Sequence, residues 1–291
     1  MTDNTQRIAL ITDSTSDLPA ELTDKYNIHV VPLHVIWGSD DLLDGQDITP
    51  QGFYERIVKD PIHPKTAQPT PLEFKKALEQ AAEEGAEEAV VITISKDMSG
   101  TLTSVLNAKE EVSLKVHTKD SRSTTMGLGW QVLAAARARE AGADAEGMIA
   151  AAEKARQRMQ LRFSVDTLDY LHKGGRIGGA QHLIGTALNL KPELYVDHEK
   201  GEVQSGSRTR TRSRAIDRMY ANFFEEVGKK RPLHVAVIHT MSDEEANALA
   251  ERTRKEHKPD ELLIVPIGPV VGVHVGPGAL GLAGYIGENH T

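Results

Sequence analysis

The chain reads as an α/β protein of two domains: an N-terminal parallel-sheet α/β/α domain, then a C-terminal α/β domain with a mixed sheet. Three observations predict this. Over the first half, short β-branched runs alternate with amphipathic helical stretches, the pattern of a mainly parallel sheet with crossover helices. The second half mixes a hairpin signal with further crossovers, which implies a mixed sheet. At 291 residues the chain exceeds the usual size of one domain.

In the first unit, assigned to 1–160, strands are expected over 8–11, 29–36, 89–94 and 115–118. Helices are expected to begin near Pro19, Thr49, Pro71, Gly100 and Thr124, several with a proline or a hydroxyl residue where a first turn leaves N–H groups unpaired. A helical pair rich in alanine and charge, over 125–139 and 145–160, ends this unit. The second unit, 161–291, opens with a strand over 162–165 and a helix through Tyr170. It then reaches the glycine break KGGRIGG, beyond which an apolar helix carries Leu183, Ile184 and Leu188. A hairpin around 198–201, a helix over 211–227, a strand over 235–239, a helix over 243–257 and a strand over 262–267 follow. The tail GPVVGVHVGPGALGLAGY, 268–285, reads either as a final glycine-rich strand and turn or as a close-fitting ligand wall around His274, the one group in it that titrates near neutral pH.

Composition narrows the function. The formal charge of −8 describes an acidic protein and argues against a binder that must neutralise many phosphates. One local exception, SRTRTRSRAIDR over 207–218, carries five arginines that suit a solvated face, internal ion pairs or an anionic partner. With no cysteine, thiolate catalysis, disulfides and cysteine metal sites are excluded. The twelve histidines are scattered and no HExxH or calcium loop is present, so no metal and no cofactor is expected. The N-terminus shows no signal pattern, and the nearly charge-free stretch 262–287 has too much glycine and proline for a spanning helix, so a cytoplasmic location without membrane insertion is expected.

Several loops carry chemistry-bearing side chains. After the first strand, ITDSTSDLP sets Asp13 and Ser14 where parallel sheets bind ligands, although both residue types also cap helices and form turns. In KTAQPTP, Thr70, Pro71 and Glu73 form a helix start, which leaves the Thr66 hydroxyl for an ordinary loop role or a ligand. Ser99, Gly100 and Thr101 follow a strong strand at the head of a helix, where free N–H groups and hydroxyls suit an oxygen-rich anion; Ser99 as a simple N-cap is the alternative. No P-loop, dinucleotide fingerprint or nucleophile elbow accompanies them. Arg176, emerging from Gly174 and Gly175, suits a carboxylate or phosphate, or ties loop carbonyls together.

Taken in order, TDSTSDLP, TAQPTP with Glu73 and Phe74, SGT at Ser99, LHKGGRI and GVHVGPGALG resemble the DegV family of bacterial fatty-acid-binding proteins, and the likeness covers nearly the whole chain. The resemblance implies a long-chain fatty acid lying between two domains, its carboxylate presented to a separate fatty acid kinase that makes the acyl phosphate. The chain itself would then be a lipid-binding protein rather than an enzyme. It further implies that Thr66, Ser99 and His274 bind the carboxylate, with Asp13, Ser14, Gly100 and Thr101 in the vicinity of the head group, and that Arg176 supports phosphoryl transfer or kinase engagement. Candidate tail contacts are Leu168, Ile177, Leu183, Ile184, Val271 and Val273, each of which, taken singly, reads as generic core before ligand wall. The family commonly has serine after the threonine, and this chain has Ala67, one hydroxyl fewer. The competing readings are a small-molecule enzyme related to dihydroxyacetone kinase subunits, with a carbonyl compound held at His274, and a hydrolase using Ser99, His274 and Asp13. A nucleic-acid contact through the arginine-rich segment is a third.

Overall fold

A computed structural model describes residues 7–185 and 191–288, and it has a two-domain α/β fold. Leu188 lies outside the described residues. The first part runs β1 (Ile8–Asp13), α1 (Ala20–Lys25), β2 (Ile28–Val31), β3 (His34–Trp37), β4 (Asp40–Leu43), α2 (Pro50–Ile57) and β5 (Lys65–Ala67). It continues through α3 (Pro71–Glu83), β6 (Glu88–Thr93), α4 (Thr101–Ala108), β7 (Lys115–Asp120), α5 (Thr125–Glu140) and α6 (Ala145–Gln157). The second part runs β8 (Gln160–Ser164), α7 (Asp169–Lys173), β9 (Lys191–Asp197), β10 (Glu202–Thr209), α8 (Arg212–Val227), β11 (Leu233–His239), α9 (Asp243–His257), β12 (Glu261–Pro266), α10 (Pro269–Val275) and β13 (Leu280–Ile286).

The four-stranded sheet, in order β2-β1-β6-β7, is parallel throughout. The six-stranded sheet, in order β10-β9-β8-β13-β11-β12, is mixed: its pairs are antiparallel except β11 with β12. Helix starts follow the expected chemistry. Thr49 caps α2 and Thr70 caps α3, each with proline in the first turn, and Glu73 completes a capping box with Thr70.

Four expectations differ from the structure. The single strand expected over 29–36 is two strands in two sheets, because Pro32 has no N–H to donate and the chain turns there. Lys65–Ala67, read as part of a loop, is β5, the edge of a small antiparallel sheet ordered β4-β3-β5 in which Thr66 sits opposite Val35. The tail is helical before it is extended: α10 starts with Pro269 after Gly268 and ends at Gly276, and only then does β13 form. The apolar helix expected after KGGRIGG is a 3-10 helix over Gly178–Leu183.

The main core is shared between the two halves. Helix α5 touches β1 and β6 of the parallel sheet and β11 and β13 of the mixed sheet, and it is buried on nearly every face, as an all-round apolar helix must be. Trp130, fully buried on α5, donates its indole N–H to the Ala283 carbonyl of β13 at 3.1 Å. Trp130→Phe, which keeps an aromatic ring but removes this donor, is expected to lower stability by about 2 kcal/mol, read from urea unfolding monitored by far-UV dichroism.

Candidate functional site

A cavity of about 370 Å³ opens where the carboxyl end of the parallel sheet faces the mixed sheet. That volume lies in the range of small-ligand sites. The wall is mostly apolar: Leu161 and Phe163 of β8, Val196 of β9, Val203 of β10 and Ile238 of β11 come from the mixed sheet, and Val270, Val271 and Val275 come from α10. Ile94 and Met98 approach from the end of β6. Thr66, Ser99, Arg176 and His274 interrupt this surface.

Each of these polar groups is set by its own element. His274 sits in the last turn of α10 and its Nε2 lies 3.0 Å from the Thr66 hydroxyl on β5. Its Nδ1 is buried without a protein partner against Gly174, where a Cβ would come within 2.1 Å of it; glycine at this position is therefore a requirement of the histidine's placement. Burial, with the Arg176 and His63 charges, pushes the His274 imidazole down to about 4, so it is neutral at pH 7. Ser99 is not a cap: Gly100 holds the N-cap position of α4, and the Ser99 hydroxyl meets the Thr101 hydroxyl at 2.9 Å. Gly100 passes under the Gln68 side chain, whose Oε1 would lie 2.2 Å from a Cβ there. Arg176 donates from Nε to the Met98 carbonyl at 3.0 Å and from Nη1 to the Gly174 carbonyl at 2.8 Å, so it ties together the loops bearing Ser99 and His274's neighbour while remaining exposed.

A buried carboxylate hub beneath the cavity holds β5 and α10 in relation to each other. The Ser14 hydroxyl donates to Asp44 at 2.8 Å and accepts from the Leu33 N–H at 3.0 Å, just ahead of β3, the strand that carries β5. The Asp17 carboxylate accepts the Gly268 N–H at 2.9 Å, and the Tyr54 hydroxyl donates to the Ile267 carbonyl at 3.0 Å, both at the start of α10. Burial raises Asp17 to about 8, aided by the neighbouring Asp44 and Asp13 charges, and raises Asp44 to about 7. Asp13 is raised to about 6 by burial, although the Thr15 hydroxyl and N–H and the Ile94 N–H all bond to it.

Of the residues singled out from the sequence, Thr66, Ser99, Arg176, His274 and Val271 line the cavity. Gly100 and Thr101 lie just behind Ser99, and Asp13 and Ser14 belong to the hub. Leu168, Ile177, Leu183, Ile184 and Val273 are not on the cavity wall. Ile177 and Leu183 are in the main core with Leu168 packed against it, Val273 packs in the cluster around Trp37 and Phe53, and Ile184 is exposed. In the sequence Gln68 reads only as a loop amide and Thr124 only as a helix start, and no role falls to the wall residues of β8, β9, β10 and β11 or to Thr125, Asp17 and Asp44. The Ser99–His274–Asp13 relay is not assembled: His274 bonds to Thr66, and Asp13 is engaged with Thr15 and Ile94. In the arginine-rich segment, Arg212 is held by Glu245, Asp166 and the Gly278 carbonyl, whereas Arg208, Arg210, Arg214 and Arg218 are exposed. Among the described residues no group of acidic or histidine side chains is arranged to hold a metal, and no helix is long and apolar enough to cross a membrane.

Fold and cavity together define a two-domain α/β protein organised around an apolar cleft with a polar end. The chain belongs to the DegV family, described as an uncharacterised protein family, which it matches over residues 7–286. It is 37% identical over 284 residues to a DegV domain-containing protein of Streptomyces coelicolor, covering 95% of this chain and 98% of the relative. It is 32% identical over 277 residues to the protein DegV of Bacillus subtilis, covering 94% and 98%. Its structure is similar to that of a fatty-acid-binding DegV family protein from Thermus thermophilus, with TM-score 0.90, 33% identity and 96% and 99% coverage. It is likewise similar to DegV, a fatty acid binding protein from Bacillus subtilis, with TM-score 0.88, 31% identity and 96% and 98% coverage.

The two kinds of buried group give stability opposite pH dependences. From pH 6.5 down to about 4 the unfolded chain takes up a proton at His274 that the folded chain refuses, so stability falls with falling pH by up to about 3 kcal/mol. From about pH 3.8 up to 8 the folded chain keeps a proton on Asp17 that the unfolded chain releases, so this group lowers stability as pH rises. Urea unfolding across pH 4–8 is expected to show the acid-side fall reduced in His274→Gln and the alkaline-side fall reduced in Asp17→Asn.

Proposed function

We propose that this protein binds a long-chain fatty acid in the cavity between its two domains and presents the carboxylate to a separate fatty acid kinase for conversion to the acyl phosphate. The observation that carries the reading is the cavity itself, an apolar cleft interrupted by hydroxyls and an imidazole at Thr66, Ser99 and His274. The fatty-acid binding of structurally similar DegV proteins supports it. Neutral His274 carries one N–H, and with that proton on Nε2 it donates at the polar end beside Thr66, while Thr66 and Ser99 supply hydroxyl donors. A tail of about fifteen methylenes contributes on the order of 10 kcal/mol of transfer free energy before ordering costs, whereas the head-group bonds add about 1 to 3 kcal/mol and fix orientation. Affinity therefore comes from the tail and placement from the polar end.

In this reading the chain has no catalytic step of its own and needs no cofactor. Arg176, exposed at the cavity rim, is the group that meets the kinase or the transferred phosphoryl group, while its bonds to Met98 and Gly174 keep the rim in shape. Division of the chain near residue 160, where the mixed sheet begins, assigns Thr66 and Ser99 to one domain and Arg176 and His274 to the other, so the head-group site is shared. Work in the cytoplasm, without nucleic acid and without stable membrane insertion, accords with the acidic composition.

Mass analysis of small molecules extracted from the purified protein is expected to find one fatty acid per chain. A preparation that carries no lipid and does not take up added long-chain acids would refute the proposal. Thr66→Val and Ser99→Ala are each expected to weaken fatty-acid binding about ten- to a hundredfold, the effect of one lost hydrogen bond to a charged group. Arg176→Ala is expected to impair phosphorylation by the kinase more than it impairs binding; equal loss in all three variants would overturn this division of roles.

A further inference from the structure

The polar end of the cavity carries a side-chain donor beyond Thr66, Ser99 and His274. Gln68 lines the cavity just past the end of β5, the strand that bears Thr66, and it is exposed. Its amide lies over Gly100: a Cβ there would stand 2.2 Å from Oε1 and 2.7 Å from both Nε2 and the amide carbon, so glycine next to Ser99 is what leaves the amide its room. The side-chain hydrogen bond that Gln68 makes runs from Nε2 to the Ser104 hydroxyl of α4 at 3.5 Å, too long to hold the amide firmly. Among the described residues, the second Nε2 proton and the Oε1 lone pairs have no partner.

An ionised carboxylate has about four acceptor sites. At this end Thr66 and Ser99 offer one hydroxyl proton each, neutral His274 has one N–H, set beside the Thr66 hydroxyl, and Ala67 adds none. Arg176 commits Nε and Nη1 to the Met98 and Gly174 carbonyls. The hydroxyl oxygens of Thr124 and Thr125 are themselves buried and do not face the space. The uncommitted donor between the two head-group hydroxyls is the Gln68 amide, which follows the residue without a hydroxyl and lies over the residue next to Ser99. A hydrogen bond from an amide to an ionised carboxylate is stronger than a 3.5 Å contact with a neutral hydroxyl, so a carboxylate arriving between Thr66 and Ser99 draws Nε2 from Ser104 onto itself. We propose that Gln68 is a fourth head-group ligand, donating from Nε2 to a carboxylate oxygen and so favouring an ionised acid over a neutral lipid of the same length. The proposal rests on the fatty-acid reading and adds to it a residue and the selectivity that residue confers.

Displacement of a fluorescent fatty acid from the full-length protein tests it, with myristic acid compared against 1-tetradecanol, the same chain without a charge. The unsubstituted protein is expected to prefer the acid. In Gln68→Leu, which keeps the bulk over Gly100 and removes the donor, that preference is expected to fall about fivefold or more, the difference between losing a hydrogen bond to a charged group and losing one to a neutral group. Gln68→Glu keeps the shape but sets a second carboxylate against the first, so at pH 8 the preference is expected to fall further still. Acid and alcohol weakened by the same factor would make the amide a cover and not a ligand. That result, an acid preference unchanged in both variants, or no acid preference in the unsubstituted protein overturns the inference and leaves fatty-acid binding standing. Failure of the unsubstituted protein to bind the probe or myristic acid overturns both.

Discussion

The bond from the Gly268 N–H to the Asp17 carboxylate is the contact on which the rest of the site depends. Helix α10 has only seven residues, too few to hold a position by its own hydrogen bonds, and it carries His274 in its last turn. Its entry is fixed instead by the loop after β1, through Asp17, and by Tyr54 at the Ile267 carbonyl. The same loop fixes Leu33 through Ser14, and the strand that follows carries Thr66 by way of β5. One turn of chain at the end of the first strand thus sets both halves of the Thr66–His274 pair. Charge is kept low in this hub by burial, which favours protonated carboxyls that can donate as well as accept.

How much of this was legible in the sequence follows from the range of the interactions involved. Helix starts were legible because their signals are local: Thr49 before Pro50, and Thr70 before Pro71 with Glu73 three residues on, state their geometry within four positions. The small antiparallel sheet was not, since strands of three or four residues leave almost no periodicity, and the Pro32 break is visible only once its two flanking strands are seen in different sheets. Helix α10 was hidden by its own composition. Glycine and valine do not favour a helix, and this one forms because Pro269 starts it and the surrounding core buries nearly all of it.

The polar residues of the site could be named from their loops, but not the wall they face. Thr66, Ser99, Arg176 and His274 stand out against their neighbours as hydroxyl or cation in glycine- and proline-rich segments. Leu161, Phe163 and Ile238 are ordinary residues of ordinary strands, and which face of a strand meets a ligand depends on what packs on the other side. Ile177, Leu183 and Val273, candidates for the tail wall with generic core as the alternative, pack in the core for the same reason. Asp17 and Asp44 are separated along the chain, and nothing local to either announces that they converge on Gly268.

Helix α5 is inserted between the two sheets, and the halves are bound again at their periphery by Arg137 with Glu261 and by Ser95 with the Gly201 carbonyl. A hinge motion that parted the domains would strip water-excluded side chains from α5 on one side or the other and break these ties. Opening by that route is costly compared with movement of the loops at the rim. Access to the cleft is therefore set at its rim, near Ser99 and Arg176, rather than by parting of the two halves.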